Sequence, residues 1–135
     1  MIEITDKPIS PEQVVSKVKT DSSGCVVTYV GLIRECSQGK RVLSVEYQDI
    51  EGTAENILRE IANEVSQKWQ INNIAISHRI GKLKVGEINL VVAIASAHRK
   101  EGFAACQHVI DRFKQMMPTH KTETYQGGSS QVEKS

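Results

Sequence analysis

Ile88-Asn89-Leu90-Val91-Val92-Ala93-Ile94-Ala95-Ser96 is the stretch on which the fold turns. Apart from Asn89 and the closing Ser96 it is apolar throughout, so it predicts a strand buried on both faces. It runs into Ala97-His98-Arg99, then a helical pattern to Met117, then Pro118-Thr119-His120-Lys121-Thr122-Glu123. His98 and Arg99 therefore fall where a buried strand ends and a helix begins. The first N–H groups of a helix lack intrahelical partners and carry partial positive charge, which makes this joint a natural anion site. Lys114 lies near the end of the helix, and Lys121 just past the Pro118 stop. One strand–helix–loop unit thus carries four groups that are cationic or can donate protons. It reads as the working part of an enzyme that handles a phosphorylated small molecule.

Outward from this unit, Gly81 to Glu87 is a Lys-rich link with glycine near both ends, preceded by a strand over Ile74–Ile80. Thr53 to Trp69 is the clearest helix: Ala54, Ile57, Leu58, Ile61, Ala62, Val65 and Trp69 recur at three- and four-residue steps. Val42 to Tyr47 alternates as a half-buried strand, and Cys25 to Ile33 is a strand rich in Val, Thr and Tyr. Ser10-Pro11-Glu12-Gln13 is a helix start, with Ser10 as cap and Pro11 in the first turn. Ile2–Thr5 is a short edge strand. The last helix, from about Arg99 to Met117, is expected to bury Phe103, Cys106, Ile110, Phe113 and Met117. Residues 1–126 form one domain and 127–135 a mobile C-terminal tail. The order β-α-β-β-α-β-β-α, with strands in hairpin-like succession, favours an α+β fold, a mixed sheet with flanking helices, over a doubly wound parallel one.

The chain has 135 residues, long enough for one domain with a substantial core. Its formal net charge of +1 gives no global attraction to nucleic acid or membrane, and aromatics at 4% offer little for base stacking. No apolar run approaches the roughly 20 residues that span a bilayer. Met1-Ile2-Glu3 opens without a basic-then-apolar signal, so a cytoplasmic location is expected. Cys25, Cys36 and Cys106 show neither disulfide nor zinc spacing. His78, His98, His108 and His120 form no ligand pair, and no metal site is expected.

Several residues could carry chemistry. Arg34 and Arg99 each follow a strand. If those strands lie side by side and parallel, both guanidinium groups reach one rim and can grip phosphate through paired hydrogen bonds. They also read as two solvated surface arginines. His98 has an acid–base reading near neutral pH, and an equally good one as a joint residue bonded to backbone. Lys114 follows Ile110 and Phe113 at helical spacing, so its stem is expected to be partly covered. That suits a base or nucleophile, or simple snorkelling at a helix end. Lys121, in a loop beside Glu123, is also an ordinary ion-pair candidate. Cys36 lies two residues past Arg34. His78-Arg79 reads as structural.

The segments Val27-Thr28-Tyr29-Val30-Gly31-Leu32-Ile33-Arg34, Val45-Glu46-Tyr47, His78-Arg79-Ile80-Gly81-Lys82-Leu83-Lys84-Val85-Gly86-Glu87, Ser96-Ala97-His98-Arg99 with Phe103, Asp111-Arg112-Phe113-Lys114, and Pro118 with Lys121 and Glu123 occur in this order. Together, over residues 24–124, the chain resembles the large, catalytic subunit of molybdopterin synthase. The resemblance implies an α/β hammerhead fold and a homodimer within a heterotetramer. Each large subunit binds a small ubiquitin-like sulfur carrier whose C-terminal Gly-Gly thiocarboxylate enters the site. Sulfur passes in two rounds to cyclic pyranopterin monophosphate, forming the molybdopterin dithiolene, with no metal or organic cofactor. By the same resemblance Leu32, Ile33, Arg34, His98, Arg99, Lys114, Lys121, Thr122 and Glu123 line the substrate pocket, with Lys114 and Lys121 catalytic. The chain departs from the family at His120, where an aromatic is usual, at Ile50 and Thr53, and at Gly127-Gly128-Ser129-Ser130, which lacks a Trp. The alternative reading is a non-catalytic module of the same fold that binds the anion and the carrier.

Overall fold

Strand β7 (Ile88–Ser96) is buried on both faces, and two different layers cover it. Leu90, Val92 and Ile94 belong to one apolar cluster, and Val91, Ala93 and Ala95 to another. This is the two-residue alternation of a strand. The computed structural model describes residues 1–128 and 130–134; Ser129 and Ser135, both in the expected tail, lie outside the described residues. The other strands are β1 (Ile2–Thr5), β2 (Cys25–Leu32), β3 (Cys36–Ser37), β4 (Lys40–Gln48), β5 (Asn73–Arg79), β6 (Gly81–Lys84), β8 (His120–Tyr125) and β9 (Ser130–Lys134). The helices are α1 (Pro11–Val18), α2 (Ala54–Lys68) and α3 (Arg99–Met116). The architecture is a mixed α+β single domain.

The first sheet has the order β1-β5-β7-β2, parallel between β1 and β5 and antiparallel elsewhere. Helices α2 and α3 pack on one face through Leu58, Ile61, Val65, Val109 and Phe113. Helix α1 closes the other through Val14 and Val18, opposite the small side chains Ala75, Ala93 and Ala95. Its start is as expected: Ser10 Oγ accepts a hydrogen bond from the Gln13 amide at 3.3 Å. The second sheet runs β3-β4-β8-β9, with β6 also paired to β4. Its own cluster contains Ile33, Val42, Val45, Tyr47, Leu83 and Tyr125.

Four local expectations are corrected. Residues 120–125 are not a loop but strand β8, paired along β4 from Gln48↔His120 to Val42↔Tyr125. Gly81–Lys84 is a strand rather than a link, and Ser130–Lys134 pairs with β8 as β9. These segments are polar or short, so backbone pairing, not local pattern, makes them strands, β6 and β8 through the distant β4 and β9 through its neighbour β8. Phe103 is 60% exposed instead of buried. Gly102 is the contact residue of that turn: a Cβ there would stand 2.8 Å from Ser96 Oγ and 3.0 Å from Val27 Cγ2. The helix meets the sheet through its backbone at this point, and the next side chain is carried off that face.

The two sheets and α3 meet at His78. It is completely buried, and its ring stands edge-on to Tyr47 (centroids 5.1 Å apart) and to Phe113 (5.0 Å). Burial pushes its pKa below the ordinary 6.5, so the ring is neutral. Below about pH 6.5 the unfolded chain binds a proton that the folded chain refuses; stability therefore drops as the pH is lowered there, by at most about 1.4 kcal/mol per pH unit. Above it both states are neutral and this dependence vanishes. Denaturant titrations between pH 6.5 and 5 are expected to show the slope in the wild type and to lose it in His78→Phe. In the core, Leu58→Ala is expected to cost about 2–5 kcal/mol in the same measurement, since Leu58 is fully buried.

Candidate active site

A cleft of about 590 Å³ opens where the end of β2, the last turn of α3 and strand β8 converge. Leu32, Ile33 and Arg34 supply one side, Lys114 the second, and Lys121 with Glu123 the third. Each arrives for a separate local reason. The pairing of β2 with β7 shifts register between Gly31 and Leu32, a bulge-like break that re-aims the chain. Beyond it Ile33 is pinned by its own N–H to the Glu87 carbonyl (3.0 Å) and by Gly86 N–H to its carbonyl (2.9 Å). Arg34 follows this anchor with its side chain exposed. Lys114 sits one residue after the buried Phe113, and is exposed rather than partly covered as the sequence suggests. Lys121 and Glu123 are two apart on β8 and so share a face. Thr122 between them alternates away and does not line the cleft.

Glu123 is only 5% exposed. Its carboxylate accepts from Ser37 Oγ at 3.3 Å and lies 3.7 Å from Lys121 Nζ. A buried carboxylate needs such partners, and it fixes the ammonium in return. The cleft therefore holds three cationic side chains around one compensated carboxylate. That arrangement attracts an anion locally on a chain whose net charge is only +1.

Tyr29, Tyr47, Asn89 and Phe113 also line the cleft, none of them among the expected site residues. Asn89 Nδ2 donates to the Tyr47 hydroxyl at 2.9 Å. Gly31 passes directly over Asn89: a Cβ at Gly31 would stand 2.6 Å from Asn89 Oδ1 and 3.2 Å from the Tyr29 ring. The signal for Asn89 was present in the sequence, as the polar residue within an apolar strand. Tyr47 stood out in the sequence only within the Val45-Glu46-Tyr47 segment of the family resemblance; by pattern alone it looks like any strand tyrosine until β4 is paired. Cys36 is exposed and lines the cleft, while Cys106 is core, its thiol pushed up to about 11 by burial. Arg79 donates to Glu87 at 2.8 Å, the structural role expected of it. Among the described residues no three metal-ligating side chains converge, and no helix is long and apolar enough to cross a membrane.

His98 and Arg99 are not in this cleft. Strands β2 and β7 are antiparallel, with Cys25 opposite Ser96 and Leu32 opposite Ile88. The parallel arrangement that would have put Arg34 and Arg99 on one rim does not occur. His98 and Arg99 instead line a separate depression of about 480 Å³ with Gly24, Cys25 and Phe103. The two sites stand at opposite ends of β2, roughly 24 Å apart at 3.4 Å per residue. His98 caps α3 through its backbone conformation, with no side-chain capping bond.

The family model described as the MoaE protein matches residues 4–116. The molybdopterin synthase catalytic subunit of Bacillus subtilis (strain 168) is 38% identical over 130 residues, covering 96% of this chain and 83% of that protein. Its counterpart in Nostoc sp. is 41% identical over 128 residues, covering 94% and 78%. The crystal structure of molybdopterin synthase from Staphylococcus aureus superposes with a TM-score of 0.91 at 32% identity, covering 98% of this chain and 96% of that one. The family match over residues 4–116, these identities and this superposition together show that the chain belongs to the MoaE family, that of the molybdopterin synthase catalytic subunits.

Proposed function

We propose that this chain transfers sulfur from the C-terminal thiocarboxylate of a small ubiquitin-like carrier to cyclic pyranopterin monophosphate, forming the dithiolene of molybdopterin in two rounds. The observation that carries this reading is the convergence of Arg34, Lys114 and the Lys121–Glu123 pair in one cleft of this family's fold. The carrier's Gly-Gly tail is narrow enough to thread such a cleft, because it has no side chains. In each round a carbon–sulfur bond forms on the pterin side chain as a carbon–oxygen bond there breaks, and the acyl carbon–sulfur bond of the thiocarboxylate breaks. The oxygen released from the side chain stays on the opened cyclic phosphate in one round and leaves as water in the other. Water supplies the oxygen that returns the carrier as a carboxylate. Lys114 acts as proton-transfer partner or transient acyl acceptor, and Lys121, steadied by Glu123, stabilises the charge that develops at the acyl oxygen.

The phosphate needs more than Arg34. His98 and Arg99 are the remaining expected site residues able to donate hydrogen bonds to a phosphate, but one chain holds them about 24 Å away, beyond the reach of one pterin. A second copy resolves this. Strand β2 is the edge of its sheet, with the cleft at one end and the His98–Arg99 depression at the other. A two-fold axis beside that edge sets the strands antiparallel and brings the cleft of each copy to the His98 end of the other. The homodimer thereby completes two equivalent sites, each with Arg34, Lys114 and Lys121 from one copy and His98 and Arg99 from its mate.

Lys114→Ala is expected to abolish molybdopterin formation in a reconstituted assay, read as the fluorescent oxidised derivative, while carrier binding persists. Undiminished product with intact binding would remove Lys114 from the mechanism. Shared sites are tested by complementation. Arg34→Ala and His98→Ala proteins, each inactive alone, should regain about a quarter of wild-type activity when unfolded and refolded together, since half the dimers are mixed and each has one intact site. No recovery, with mixed dimers demonstrated, would place both residues in one chain's site.

A further inference from the structure

His78 is a fully buried titratable group behind the cleft, and the cation set makes no use of it. Its Nδ1–H donates to the backbone carbonyl of Asn89 at 2.8 Å. The side chain of that same Asn89 donates to the Tyr47 hydroxyl at 2.9 Å. The His78 ring then closes the circuit by lying edge-on against Tyr47, and it makes the same contact with Phe113. Tyr47 and Phe113 are both walls of the cleft. Tyr47 is paired across the β4–β8 ladder with Lys121, and Phe113 directly precedes Lys114. The spacing between the two lysines therefore runs through His78.

Packing alone does not account for a histidine here. Its Nε2 is buried and meets no hydrogen-bonding group among the described residues, and Asn89 Oδ1 is in the same condition. Buried polar atoms without partners are destabilising, so a plain core would favour Leu or Phe at position 78, and the unpaired Oδ1 of the half-buried Asn89 adds a second cost. What these residues supply that hydrocarbon cannot is a directed hydrogen-bond chain from β5 through β7 to β4. We propose that His78 and Asn89 are positioning residues that hold Tyr47 and Phe113, and through them Lys121 and Lys114, at the spacing sulfur transfer requires. This rests on the sulfur-transfer reading of the cleft.

Two substitutions separate positioning from filling. His78→Phe keeps a ring and removes the donor; His78→Asn keeps a donor where Nδ1 stands and removes the ring. In the reconstituted assay His78→Phe is expected to lower kcat about tenfold with KM for the pterin within about twofold, and His78→Asn to recover about threefold of that loss. In parallel, 13C-dimethylated lysines report the geometry without turnover. The Lys114 and Lys121 signals should move in His78→Phe, and Lys68, 4.9 Å over the Trp69 ring on α2, should not. Tyr47→Phe cuts the same chain at its far end and serves if His78→Phe does not fold. Wild-type kcat with unmoved lysine signals, or His78→Asn no better than His78→Phe, would overturn the proposal. If the wild type itself makes no product, the sulfur-transfer reading fails separately. The positioning claim is then decided by the lysine signals, supported if Lys114 and Lys121 move and overturned if they do not.

Discussion

Burial of β7 on both faces constrains everything around it. A strand without a solvent face needs cover on two sides, and the chain provides α2 and α3 on one and the short α1 on the other. The alanines facing α1 let a two-turn helix approach closely, while the larger Leu90, Val92 and Ile94 fill the thicker layer. Both neighbours of β7 in the sheet run antiparallel to it. Because β2 does so, the residues that directly follow β2 are separated from those that directly follow β7 by the length of the sheet.

The cleft exists because a second, more polar sheet is docked against the end of the first. Its strands would be weak alone: β8 reads His-Lys-Thr-Glu-Thr-Tyr, with one strongly apolar residue, Tyr125. Pairing with β4 on one side and β9 on the other satisfies its backbone and brings Lys121 and Glu123 onto the face that looks toward Lys114 and Arg34. The junction between sheets is sealed by aromatic edges around His78 rather than by a continuous aliphatic layer. Junctions of this kind tie the position of one sheet to the other through directional contacts, which is what a site assembled from three separate elements needs.

Electrostatics act on the same small region. The chain as a whole is nearly neutral, so any field that attracts an anion must be local. Arg34 and Lys114 are exposed and can swing toward a ligand, whereas Lys121 is tied to a carboxylate that is itself buried and held by Ser37. The cleft thus combines mobile cations with one restrained one. Mobile cations suit capture of a phosphate, and a restrained cation suits a fixed reacting atom.

What local pattern can state, the amino-acid sequence stated: the doubly buried strand, the amphipathic α2 with its three- and four-residue spacing, the Ser10 cap, and the presence of Arg34, His98, Arg99, Lys114 and Lys121 at element ends. Each of these depends on neighbours a few residues away. Three features did not lie in any local window. Polar strand β8 is a strand because of β4, far back along the chain, and β9 is one because β8 is there to pair with it. Phe103 is exposed because Gly102 takes the contact with the sheet. Most consequentially, the direction of β2 against β7 puts Arg34 and Arg99 at opposite ends of the domain, although each alone ends or follows a strand as read. Strand direction leaves no mark in a strand's own residues, since the same alternation serves either sense of pairing. It is decided by how the whole chain packs, and with it the distribution of the site's charges.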